Sequence, residues 1–186
     1  MNNFWIYFSI AAGVVFIAIL SILIANIIVT KSKFHKMSND VTEILTKITT
    51  ANENCEYEKI YHTKNDKIAY DYTLDTPNFK YYFKVIPNFS AYEITVNNSI
   101  KWQIRRSYTD ESLNFANGVE EFMRFDPPAI NNKENKKVYI IYPNSRSLLK
   151  YVNECEMEFI TPDTDIYGTR VITYLTLSEN IDLIEV

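Results

Sequence analysis

The chain has 186 residues, and its 19 Lys and Arg against 23 Asp and Glu give a net charge of −4. This length is sufficient for a single domain with a sizeable core. Three of the lysines and none of the acids lie in residues 1–36, so the remainder carries 16 basic and 23 acidic residues. Because contact with nucleic-acid phosphates requires a positive surface, this acidic remainder argues against nucleic acid as a partner.

A long apolar stretch lies near the amino terminus. Residues 4–29 contain no charged residue and no proline. A helix over them is about 39 Å long at ~1.5 Å per residue, which exceeds the ~30 Å hydrocarbon core of a bilayer. A cleaved signal peptide is the alternative, but it has a shorter apolar part, a basic start and small residues at a cleavage site. The sequence therefore predicts a transmembrane anchor over residues 1–30, which contacts lipid through residues 4–29.

Residues at both ends of this stretch are predicted to lie at the membrane interface. Trp5 and Tyr7 are amphipathic aromatic residues, which prefer that region. Lys31, Lys33 and Lys36 form a basic collar on the other side, whereas the first three residues offer only the terminal amine. Because lysines flanking a span are enriched in the cytoplasm, the sequence predicts a cytoplasmic carboxyl-terminal part.

The segment 31–54 combines this collar with an amphipathic helix. Apolar residues recur there at helical spacing, namely Phe34, Met37, Val41, Ile44, Leu45 and Ile48. Asp40, with Glu43 three residues later, matches a capping box, which predicts that a separate helix begins at about residue 40. One continuous helix is the alternative, since no Gly or Pro interrupts residues 14–54.

Alternation of apolar and polar residues over 56–105 predicts an antiparallel meander of four or five strands. Its hairpins share one aromatic face when Tyr72 is paired with Tyr81, Phe83 with Ile94, and Ile94 with Trp102. Tyr57 and Tyr61 extend this face as a weaker first strand. The other face is expected to meet solvent and carries Thr73, Lys80, Glu93, Thr95, Lys101 and Gln103. Trp102 therefore points to the core, although its basic neighbours suggest nucleic-acid contacts by composition.

Helices are expected to cover the aromatic face of the meander. Besides the helix near residue 40, the pattern predicts helices at about 110–125 and 145–155. A polar loop is expected at 131–137, and further strands at 138–142, 157–160 and 169–177. The fold class is thus α+β, with one soluble domain over residues 55–186 whose sheet packs against two or three helices.

The sequence contains no recognisable catalytic motif and predicts no cofactor. His35 and His62 have no Cys or His at ligand spacing, so no zinc site is expected. Cys55 and Cys155 lie far apart without a CxxC and are expected to be small buried side chains.

Asp163 and Asp165 are the candidate ligands for a divalent cation, because two carboxylates can bind such an ion. The alternative is an ordinary turn, in which Asp is common after a proline.

The lack of a catalytic constellation favours a non-enzymatic binding or scaffolding role at the membrane. An anchor raises the local concentration of the domain near a membrane-bound protein partner, whose identity the sequence leaves unknown.

Two alternatives from other classes remain. The order of an apolar helix, an amphipathic helix and an antiparallel sheet resembles the layout of minor pilins. It is similar in outline to membrane assembly factors with a cystatin-like or nuclear-transport-factor-like domain. Either resemblance implies a secretion, conjugation or pilus component with an external domain. The second alternative is a membrane-tethered, metal-dependent enzyme that uses the scattered carboxylates of Asp126, Asp163 and Asp165.

Overall fold

The structure, a computed structural model, describes residues 2–61, 68–106, 114–129, 133–153 and 156–185. The chain divides into two units, Met1–Ser38 and Asn39–Val186. A long apolar helix occupies the first unit, and the second is a mixed α+β domain with two five-stranded sheets. The apolar amino-terminal helix and the α+β class are confirmed, whereas the single antiparallel meander is wrong.

The helices and strands follow one another in an order that alternates between the two sheets. In chain order they are α1 (Asn2–Ala51), β1 (Glu56–Lys59), β2 (Tyr72–Asp75), β3 (Phe79–Pro87), β4 (Glu93–Val96), β5 (Trp102–Arg105), β6 (Asn114–Phe115), α2 (Val119–Arg124), β7 (Glu134–Tyr142), β8 (Leu148–Asn153), β9 (Glu156–Phe159), β10 (Thr169–Thr173) and α3 (Tyr174–Glu179). A short 3₁₀ helix, Ile181–Leu183, follows α3.

The predicted start of a separate helix near residue 40 is wrong, because α1 continues unbroken to Ala51. No Gly or Pro interrupts this part of the sequence. The carboxylate of Asp40 also has another role than capping, since it accepts a hydrogen bond from the hydroxyl of Tyr142.

Both sheets mix parallel and antiparallel neighbours. The first sheet has the order β1-β2-β3-β7-β10, in which β1, β2 and β3 are antiparallel while β3, β7 and β10 run parallel. The second has the order β6-β5-β4-β8-β9, in which only β4 and β8 are parallel. Parallel neighbours come from distant parts of the chain, which a meander cannot provide.

The chain passes from the first sheet to the second at two adjacent corners, after β3 and after β7. Asn88, at the first corner, is only 4% exposed. Its side-chain amide donates to the carbonyls of Tyr92 and Asn144 at 2.8 and 2.9 Å, and its oxygen accepts from the Tyr92 N–H. The Asn88 N–H also donates to the Tyr142 carbonyl. These bonds fix the two corners side by side, so that β3 and β4 lie in different sheets and the predicted pairing of Phe83 with Ile94 is wrong.

The two other predicted hairpins exist, but each is shifted by two residues. Tyr72 pairs with Phe83 rather than Tyr81, and Ile94 pairs with Ile104 rather than Trp102. Because side chains alternate with a period of two, this shift keeps each one on its predicted face. Trp102 accordingly lies in the core, only 1% exposed, as predicted.

Polar side chains in the loops account for the shift. The side-chain oxygen of Asn98 accepts hydrogen bonds from the N–H groups of Ile100 and Lys101 at 3.0 and 2.9 Å. This closes a longer turn than predicted before β5. In the first hairpin, Thr76 accepts from the Phe79 N–H at 3.1 Å, and the turn lies one residue further along the chain than predicted.

The expected solvent-facing polar face is wrong at its centre. Thr73, Glu93 and Thr95 are no more than 9% exposed. A core cluster fills the space between the sheets and includes Tyr82, Ile86, Ile94, Val96, Trp102, Phe122, Tyr139, Ile141 and Val171. The first sheet is also covered on its other face, where the hydroxyl of Tyr57 meets that of Thr46 in the last part of α1 at 3.0 Å. Two covered faces therefore replace the single apolar face of the prediction.

Four further predictions need correction. The helix predicted at 145–155 is wrong, because residues 148–153 form β8, which pairs with β4 and β9. The helix at 110–125 is reduced to the six residues of α2, and residues 110–113 lie outside the described part of the chain. The strand predicted at 169–177 ends at Thr173, whose side chain caps α3 by accepting the Thr176 N–H. β7 begins at Glu134, so the expected loop at 131–137 is in part a strand.

Candidate functional site

The five residues predicted to lie at the membrane interface are all on α1 and exposed. Trp5 and Tyr7 are 64% and 70% exposed, and Lys31, Lys33 and Lys36 are exposed as well. An interfacial role requires this exposure, because the aromatic rings and ammonium groups must reach headgroups and water.

Between these two groups, α1 exposes apolar side chains all around its surface. Sixteen large apolar residues from Trp5 to Val29 are at least 45% exposed. They are Trp5, Tyr7, Phe8, Ile10, Val14, Val15, Phe16, Ile17, Ile19, Leu20, Ile22, Leu23, Ile24, Ile27, Ile28 and Val29. The helix is long and apolar enough to cross a membrane, and its most apolar window has no buried residue.

The last part of α1 has a different surface. Val41, Ile44, Leu45 and Ile48 of the predicted amphipathic pattern are no more than 3% exposed, whereas Phe34 of the same pattern is 44% exposed. The spacing of the four buried residues places them on one stripe of the helix, and that stripe packs within the domain.

The predicted cation ligands Asp163 and Asp165 lie in the loop between β9 and β10. Both carboxylate oxygens of Asp165 accept from the Gly168 N–H, at 3.1 and 3.2 Å, so this side chain closes a turn. Among the described residues, no three Cys, His, Asp or Glu side chains are grouped closely enough to hold a metal ion. Asp126 therefore does not join the other two in a three-carboxylate site.

A groove of about 210 Å³ lies beside this loop, at the amino ends of the parallel strands β7 and β10. Its charged residues are Glu134, Lys136, Lys137, Asp163, Asp165 and Arg170. The formal charges of these six residues sum to zero, and the ammonium group of Lys137 is bound outside the groove, at the end of α2.

The cations of this groove are bound by other parts of the same chain. Glu185 accepts from Lys136 at 2.7 Å and from Arg170 at 3.3 Å, and Arg170 also donates to the Leu183 carbonyl. The hydrogen bond from Lys136 lowers the pKa of Glu185. Burial raises the pKa of Tyr81 to about 12, and its hydroxyl donates to the Glu185 carbonyl. These contacts fasten the carboxyl-terminal segment to the first sheet.

Lys137 lies on the opposite face of β7 and fixes the end of α2. Its ammonium group donates to the carbonyls of Met123 and Phe125 at 2.9 and 3.0 Å. A cation at the carboxyl end of a helix satisfies carbonyl groups that lack helical partners. Burial lowers the pKa of Lys137.

A second cleft, of about 270 Å³, lies at the other end of α2 and is lined by Lys101, Trp102, Phe115 and residues 116–121. The indole N–H of Trp102 has no hydrogen-bond partner in the described structure, and it is fully buried. The indole ring lies against Tyr139, with 4.4 Å between ring centroids. Trp102 thus contributes to the lining of the cleft, but its N–H is not exposed.

The second sheet carries a row of side chains on the face opposite to Trp102. The register aligns Phe115, Gln103, Thr95, Leu149 and Phe159 across its five strands. The two ends of the row are exposed, Phe115 at 53% and Phe159 at 74%. Its centre, Thr95, is fully buried. This outer face is thus partly covered and ends in exposed aromatic rings.

The cysteine prediction can be compared with the structure at one position. Cys55 is 5% exposed, and burial raises the pKa of its thiol, which disfavours the reactive thiolate as expected for a small buried side chain. Cys155 and His62 lie outside the described residues.

Sequence reasoning missed the cluster of Lys136, Arg170 and Glu185, because its members come from distant segments and no local pattern links them.

Comparison of the chain with protein-family models, with curated proteins and with solved structures finds no match. The interpretation below therefore depends on the chain's own geometry.

Proposed function

We propose that this chain is a single-pass membrane protein whose α+β domain binds or scaffolds a protein partner at the membrane surface. The observation that carries the proposal is the apolar surface of α1 between Trp5 and Val29. Exposing one large apolar side chain to water rather than burying it costs about 1.5–3 kcal/mol. Sixteen such side chains are exposed there. A lipid bilayer removes all of them from water at once.

The proposed topology places the domain in the cytoplasm and the amino terminus outside. Lys31, Lys33 and Lys36 follow the apolar stretch directly and are exposed. Positive residues flanking a span favour the cytoplasmic side.

A binding role follows from what the anchor does to the domain. A domain tied to the bilayer meets membrane-bound partners at a higher effective concentration than a free one does. Exposed aromatic side chains such as Phe159 add surface of the kind that protein interfaces use.

The topology is tested by adding protease to intact cells from which any wall has been removed, with the full chain carrying a carboxyl-terminal tag. The proposal predicts that the tag survives until the cells are lysed. Loss of the tag from intact cells would place the domain outside and would favour a secretion or pilus component.

The collar is tested in the same assay by replacing Lys31, Lys33 and Lys36 with Gln. Mixed orientation is expected, because the charge difference across the span is lost. A matched control replaces the exposed Lys47 and Lys101 of the domain with Gln and should keep one orientation. If the collar variant also keeps it, the lysines do not set the topology.

The partner is tested by placing a photo-crosslinking amino acid at Phe159 in the full chain. A discrete protein adduct in cells supports a binding role, and the same probe at Trp102, which is buried, serves as the control. Identical adduct patterns from both positions, or none from Phe159, would contradict a partner at this surface.

A further inference from the structure

We draw no further inference here: the strongest candidate, the outer face of the second sheet between Phe115 and Phe159, ends in exposed aromatic rings, and nothing in the described part of the structure shows what partner would cover them.

Discussion

Two stretches of α1 are both rich in apolar residues, yet their environments are opposite. In the first stretch, Ile17 is 64% exposed and Leu20 45%. In the second, Leu45 is fully buried and Ile48 only 1% exposed. Both stretches are helical, so backbone conformation does not account for the difference.

The difference lies in how the apolar residues are arranged around the helix. In the second stretch they follow the spacing of one stripe, with polar residues between them, and one packed face is enough. In the first stretch they surround the helix, so a single packed face would leave most of them in water. An apolar helix of the second kind fits a folded domain, and one of the first kind fits lipid.

The largest effect is expected from a charge placed in the packed region. Trp102→Asp removes the largest fully buried side chain and buries a carboxylate, so the domain should lose on the order of 5 kcal/mol and unfold. Lys101→Asp, at the exposed neighbouring position, should be nearly neutral. Urea-dependent proteolysis of the detergent-solubilised full chain measures both, and equal effects would refute the face assignment.

The contrast within α1 is tested directly by two alanine substitutions. Leu45→Ala leaves a cavity in the packed part and should cost about 2–5 kcal/mol of domain stability. Ile17→Ala, in the exposed part, should leave domain stability unchanged within about 0.5 kcal/mol. The same proteolysis assay compares them, and a similar loss in both variants would show that Ile17 also packs within the folded domain.

Glycine-to-alanine substitutions add one methyl group at three positions, two in the packed domain and one in the exposed part of α1. The first of them is Gly118. Gly118 has a φ of +78°, and a Cβ there would lie 2.7 Å from Cε of Lys84. Lys84 is held by Asp71 at 3.2 Å and cannot move without weakening that ion pair. Gly118→Ala should therefore cost about 1–3 kcal/mol.

The two other glycines separate the causes of this loss. Gly168 has a φ of +77° but open space around it, so Gly168→Ala should show backbone strain alone, about 1–2 kcal/mol. Gly13 lies in the exposed helix with nothing within 4 Å, and Gly13→Ala should not affect domain stability. An equal loss of stability in Gly118→Ala and Gly168→Ala would show that the Lys84 side chain moves away from the added methyl group without an energetic cost.

The smallest effect is expected at Glu185, whose side chain is 47% exposed. Its pKa is lowered in the folded state by Lys136, so its contribution is present above the ordinary carboxyl pKa and is lost as the pH falls through the folded value. Glu185→Gln should cost about 0.5 kcal/mol at pH 7. The difference from the unchanged chain should shrink as the pH falls below the ordinary carboxyl pKa and vanish once the pH lies below the lowered folded value. A difference that stays the same from pH 7 down to pH 3 would show that charge is not the cause.

The sequence correctly predicted which face of a strand several side chains occupy, but it predicted only some of the strand pairs and not their register. Alternation correctly placed Trp102 and Ile94 in the core, because a register error of two residues leaves the faces unchanged. The parallel pairing of β3 with β7 joins segments far apart in the chain, and no local pattern reports it. The cluster of Lys136, Arg170 and Glu185 could not be predicted for the same reason, since its members are also far apart in the chain.

The long apolar amino-terminal helix was the easiest feature to predict, since its signal is length and composition rather than strand pairing. Two other kinds of local prediction, a helix cap and the positions of turns, were wrong where polar side chains make hydrogen bonds that the sequence pattern does not reveal. The capping pattern at Asp40 did not mark a helix start, because α1 continues through this residue, whose carboxylate accepts a hydrogen bond from the Tyr142 hydroxyl. The turn before β5 is longer than predicted, where Asn98 binds N–H groups of its own loop, and the turn after β2 is displaced by one residue, where Thr76 binds the Phe79 N–H.

Alkaline carbonate extraction of membranes from cells that express the full chain tests the central claim most directly. The account predicts that the chain stays in the membrane pellet. It also predicts that Ile17→Lys combined with Leu20→Lys releases the chain, because each central charge costs about 2.5–3.5 kcal/mol of insertion free energy. The control, Val152→Lys combined with Phe159→Lys at exposed positions of the domain, should not release the chain from the membrane pellet. Release of the unchanged chain into the supernatant would contradict the membrane anchor.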